Sequence, residues 1–80
     1  MIKIQVVGVD SEEQKDMLDN VHHAIHELKL EAEVDEVTDI NEISDRFGMV
    51  VTPAIFVNGK LKSQGHIIDV EAIKKCLKET

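Results

Sequence analysis

The opening run, Ile2-Lys3-Ile4-Gln5-Val6-Val7-Gly8-Val9, constrains the fold more than any other stretch. It begins with strict apolar/polar alternation and closes as a nearly continuous β-branched run. Alternation describes a strand with one buried face, and a continuous run describes a strand buried on both. A strand that passes from one pattern to the other is central. It needs a neighbour on each side and cover above and below. In a chain of 80 residues, this predicts one α/β domain over 1–80 with no room for a second core.

The rest of the chain supplies those neighbours. Asp10 and Ser11 announce a helix in which Met17, Leu18, Val21, Ala24, Ile25 and Leu28 recur. At roughly 100° per residue, those six side chains fall in one arc of roughly 120°. Ala32, Val34 and Val37 stand among Glu31, Glu33, Asp35 and Glu36. That is a short strand with an acidic outer face, suited to a sheet edge. Asp39 or Thr38 caps a second helix with Ile40, Ile43 and Phe47 inward and Gly48 as its stop. Ala54-Ile55-Phe56-Val57 reads as a strand, and Asn58-Gly59 as a type I′ hairpin turn. Lys60-Leu61-Lys62-Ser63-Gln64 returns as a second, lysine-bearing edge. Asp69 caps a last helix with Val70, Ile73 and Leu77 on its buried stripe.

The predicted order is therefore β-α-β-α-β-β-α. Its first β-α-β unit should be parallel with a right-handed crossover, and its hairpin antiparallel. Strand order 2-1-3-4 leaves the acidic and the lysine-bearing strands as the two edges. The first and third helices should cover one face of the sheet and the second helix the other.

Charge and cysteine content exclude several functions. Nine Lys+Arg against sixteen Asp+Glu give a formal net charge of −7. Nucleic acid and anionic membranes both demand clustered Lys and Arg, so neither is expected as a partner. The longest unbroken apolar run is Ala54–Val57. A membrane span needs roughly twenty such residues and a signal h-region at least about seven, so a cytoplasmic protein is expected. A single cysteine, Cys76, rules out an intrachain disulfide.

Three segments carry a family likeness. They are Ile4-Gln5-Val6-Val7-Gly8 before the first helix, Val51-Thr52-Pro53-Ala54 before the third strand, and Asn58-Gly59-Lys60 in the hairpin. In this element order they resemble the small glutaredoxin-like thioredoxins of bacteria and archaea known as the redox-active disulfide protein 2 family. The resemblance spans nearly the whole chain. It implies a thioredoxin fold, a cis Pro53, and thiol-disulfide oxidoreductase activity at a Gly-x-Gly-Cys-x-x-Cys turn. Laid on this sequence, the two cysteines fall on Ser11 and Gln14, and the second glycine on Asp10.

Both sulfurs are missing. Dithiol exchange needs a thiolate at the helix N-terminus and a resolving thiol three residues on. The Ser11 hydroxyl stays protonated near neutrality without an adjacent base. Ser11-Glu12-Glu13-Gln14 reads instead as a capping box, with Ser11 and Gln14 satisfying each other's backbone N–H groups. Asp10, Glu12 and Glu13 complement the helix dipole and oppose thiolate formation. No catalytic residue and no cofactor are assigned. The resemblance leaves a groove beside Val51, Thr52 and Pro53, whose backbone would pair with an extended peptide. The expected partner is a protein or extended peptide, and the chain is a monomer or weak homodimer.

Two other sets of residues carry chemistry. Asp19, His22, His23 and His26 share the first helix, on the side away from its apolar arc. His22 and His26 are four apart, a spacing at which two imidazoles can hold Zn, Ni or Cu. An exposed pair lacks supporting hydrogen bonds, so a solvated polar face is the plainer reading and metal binding the alternative. Cys76 lies between inward Ile73 and Leu77 and reads as a half-buried filler, remote from Ser11. His66, after Gly65, reads as a surface loop residue, with a place on the Pro53 side of the domain as the alternative.

Overall fold

Strand β1 (Ile2–Val7) does have a neighbour on each side. The computed structural model describes residues 1–79. After β1 come α1 (Glu12–Leu28), β2 (Ala32–Val37), α2 (Ile40–Phe47), β3 (Ala54–Val57), β4 (Lys60–Gln64) and α3 (Val70–Lys78). The sheet order is β2-β1-β3-β4. β1 runs parallel to β2, with Ile4 beside Val34, and antiparallel to β3, with Val6 beside Ile55. The acidic and lysine-bearing strands are the edges, as their compositions require. Asn58 and Gly59 both take positive φ, 51° and 82°, and close the β3–β4 hairpin. Opposite Ile55 and Phe56, β4 offers Ser63 and Leu61, so Lys62 is the extra residue of a bulge.

Side-chain alternation along the strands divides the interior in two. Ile4, Val6, Ile55 and Val57 pack with Met17, Val21 and Ala24 of α1 and Ile73 and Leu77 of α3. Val7, Val37, Ala54 and Phe56 meet Ile43 of α2 on the opposite face, where Phe47 stacks on Phe56 at 4.6 Å between ring centroids. Asn20 fastens α1 to the approach to α3 through a 2.9 Å bond from Nδ2 to the Ile68 carbonyl. Lys74 bridges Glu27 of α1 and Glu71 of α3 at 3.6 and 3.3 Å. The hydrogen bond that Lys74 donates to Glu71 is the main cause that raises its pKa above 10.5, with the charge of Glu27 adding to it.

All three predicted N-caps form. Ser11 accepts from Gln14, Asp39 from both Asn41 and Glu42, and Asp69 from Ala72. Each such cap contributes about 0.5–2 kcal/mol. The expectation of an inward Ile40 fails, because that side chain is 70% exposed. Its spacing from Ile43 and Phe47 places it on the apolar stripe, yet no element covers that end of α2.

The pairing directions gather the loops that matter. β1 and β2 end at the same edge of the sheet, and β3 begins there, since Val7 is level with both Val37 and Ala54. β4 also ends there, with Gln64 beside Ala54. The turn before α1, the start of α2, the approach to β3 and the exit from β4 therefore share one end of the domain.

Candidate functional site

At this end β1 leaves the sheet through Gly8, whose N–H donates to the Val37 carbonyl at 3.0 Å. Ser11 follows in extended conformation and caps α1, its Oγ accepting from the Gln14 N–H at 3.3 Å and donating to the Val9 carbonyl at 3.1 Å. The reciprocal arm of the expected capping box is absent. Gln14 turns inward instead, 1% exposed, and its Nε2 donates to the Val6 carbonyl at 3.1 Å. Its Oε1 is buried with no hydrogen-bond partner among the described residues. A Cβ on Gly8 would collide with that oxygen and lie 3.4 Å from the Pro53 Cα. Gly8 is thus required for close approach between the β1 exit, the α1 side chain and the proline segment. Where a resolving thiol would lie in the family resembled, this chain has an amide that ties α1 to β1.

The proline segment is fixed from the other side. The Thr52–Pro53 bond is cis and Pro53 is buried. The Val51 N–H donates to Gln64 Oε1 at 3.0 Å, and the Gly65 N–H reaches the carbonyls of Val51 (2.7 Å) and Pro53 (3.0 Å). The Val51 N–H is therefore taken, and its carbonyl already accepts one bond. Thr52 differs: neither its N–H nor its carbonyl makes a hydrogen bond among the described residues. His66, beside Gly65, is exposed at this end.

Between these two fixed segments and α2 lies an open groove of about 260 Å³. Val9, Ile40, Ile43, Ser44, Gly48, Met49, Val50 and Thr52 line it. None of these side chains is charged, and most are apolar. Val9 is 52% exposed and Met49 fully so, although both would be expected inside a domain. Ser11, Val51 and Pro53 flank this groove in the chain without lining it.

The remaining candidates lie elsewhere. Asp19, His22, His23 and His26 are exposed on α1. His23 approaches Glu27 at 4.0 Å. Among the described residues, no three His, Cys, Asp or Glu side chains are grouped to hold a metal ion. Cys76 is half-buried on α3, which packs on the sheet face away from α2. No helix of the described residues is long and apolar enough to cross a membrane.

Sequence reasoning missed the burial of Gln14 and the exposure of Val9, Ile40 and Met49. A signal for the second existed in Met49-Val50-Val51, an apolar run between a helix stop and a proline, where no strand or helix could bury it.

Comparisons with known proteins agree with this geometry. A family model described as a thioredoxin domain matches residues 2–78. The chain is similar to a thioredoxin of Methanocaldococcus jannaschii, 35% identical over 78 residues that cover 98% of this chain and 88% of the relative. It is similar to a thioredoxin of Methanothermobacter thermautotrophicus at 31% over 77 residues, 96% of this chain and 99% of that one. In fold it matches a solved thioredoxin-2, described as a component of the malaria parasite protein secretion machinery. The TM-score is 0.75 at 8% identity, over 100% of this chain and 84% of that one.

Proposed function

The chain belongs to the thioredoxin-domain family, and from that premise we propose that it is a binding module without redox chemistry, which holds an extended peptide segment beside Thr52-Pro53. The observation that carries this reading is the uncharged groove ending at a Thr52 backbone whose donor and acceptor are both unused. An extended chain laid along Thr52 can pair with that N–H and carbonyl, as a strand pairs with an open edge. Its side chains would then dip toward Met49 and Ile40. The positions that the family's dithiol would occupy hold Ser11 and Gln14. The reading includes a cytoplasmic setting, in keeping with a chain that carries one cysteine.

Peptide titration followed by backbone amide chemical shifts tests the proposal. Shifts should concentrate at Val9, Met49 and Thr52, and leave the His22–His26 stretch unchanged. Saturable shifts confined to α1 or α3 would overturn it.

The name thioredoxin borne by the two relatives favours a second reading, thiol-disulfide exchange, which in this chain would use Cys76 or a partner's cysteine. Insulin reduction in the presence of dithiothreitol separates the two. The binding reading expects the same rate for the wild type and Cys76→Ser, equal to that of dithiothreitol alone.

A further inference from the structure

Resting on the peptide-binding reading, we propose that the groove selects a segment with one large aliphatic side chain flanked by lysine or arginine, and requires no cysteine in it. The groove is small, its roughly 260 Å³ lying at the lower edge of the roughly 300–1,000 Å³ of small-molecule pockets. Its lining is uncharged, with Val9, Ile40, Ile43, Met49 and Val50 supplying the apolar walls. A single aliphatic side chain suits such a pocket, and a charged one would lose its hydration there without a partner.

The surroundings specify the flanks. Asp10, Glu12 and Glu13 follow Val9 directly, and Asp39, Glu42 and Asp45 are interleaved with the α2 lining residues. Within 10–15 the sole cation is Lys15, and within 39–46 it is Arg46. Arg46 is already engaged by Asp35 at 3.4 Å and Glu42 at 3.2 Å. Glu42 is thus paired, and the remaining carboxylates give the segments beside the uncharged floor a net negative charge. Basic residues either side of the anchor complement it, and they accelerate encounter as well as fixing register. A second copy of the chain is a poor occupant, because it brings the same carboxylates to the contact.

Fluorescence anisotropy with four labelled extended peptides tests the inference. The first has a central leucine between lysines. The second replaces the lysines by glutamates, the third replaces the leucine by serine, and the fourth replaces the leucine by cysteine. The lysine-flanked leucine peptide should bind at least about tenfold tighter than the second and third. Salt raised to about 0.5 M should erase most of the advantage over the glutamate peptide. In Glu12→Lys/Glu13→Lys the preference between the lysine and glutamate peptides should shrink or reverse.

Equal binding of the lysine and glutamate peptides overturns the proposed partner chemistry. If Met49→Asp still abolishes that binding, the groove reading stands. Binding indifferent to Met49→Asp overturns the groove reading itself. A cysteine peptide that outcompetes the leucine peptide also overturns the inference, as does a dimer by sedimentation in which Met49→Asp restores the monomer.

Discussion

Against α1 and α3 the sheet buries Ile4, Val6, Ile55 and Val57 completely, and Met17, Val21, Ala24, Ile73 and Leu77 of the helices close over them. Against α2 it offers Val7, Val37, Ala54 and Phe56, and the helix contributes Ile43 as its one buried side chain. The first interior is sealed. The second continues through Ile43 into the groove, where Ile40 and Met49 stay in water. One face of this sheet therefore holds the domain together, while the other trades part of its burial for an open apolar surface.

Truncation in each interior should give the largest separation. Ile73→Ala removes side-chain volume from closed packing and should cost about 3–5 kcal/mol in urea denaturation. Ile43→Ala borders the groove, where solvent and neighbouring side chains can relax into the space, and should cost nearer about 2 kcal/mol. A larger loss at Ile43 would break the comparison.

The junction of the two regions comes next. Gly8→Ala drives a methyl group into Gln14 Oε1 and should destabilise by about 1–3 kcal/mol. Gly8→Ala combined with Gln14→Ala should be more stable than the sum of the two single losses, by about 1 kcal/mol in a double-mutant cycle. Strict additivity would show that Gln14 is not what Gly8 makes room for.

On the open face, Met49→Asp should leave stability within about 0.5 kcal/mol of wild type, since the side chain is fully exposed. The same variant should lose peptide binding, which separates the surface from the core. The smallest effect belongs to Lys74. Its folded pKa is raised above 10.5, so the folded state holds the proton more tightly than the unfolded one. Its contribution is present below pH 10.5 and fades as pH climbs through the raised value. Thermal melts of Lys74→Gln should therefore differ slightly from wild type at neutral pH and converge with it in alkali.

Much of the architecture was legible in residue patterns. The shift from alternation to a continuous run placed β1 in the centre, and the charges on 31–36 and 60–62 placed the edges. Ser11, Asp39 and Asp69 announced their helices because a short polar side chain can satisfy N–H groups that the helix leaves orphaned. Periodicity failed at Ile40 for a physical reason. It reports which side of a helix is apolar, and says nothing of whether a neighbour reaches that turn. Gln14 was illegible for a different reason. A polar residue at the third position of a helix ordinarily serves the cap, and only the packing of Gly8 against Pro53 decides that it goes inward. The groove was legible as a place, through Thr52-Pro53, but not as a surface, because its walls come from separate loops.

The bulge at Lys62 has a consequence for how copies of the molecule meet. The two open edges carry opposite charge, with Glu33, Asp35 and Glu36 on β2 and Lys60 and Lys62 on β4. Such edges attract head to tail, and a contact that joins unlike edges propagates into a filament instead of closing into a pair. An unbroken β4 would present a continuous ladder for that growth. With Lys62 displaced from register, the hydrogen-bonding sequence of the edge is interrupted and its twist increased. The irregularity works against edge-to-edge growth in a sheet whose two edges differ in charge.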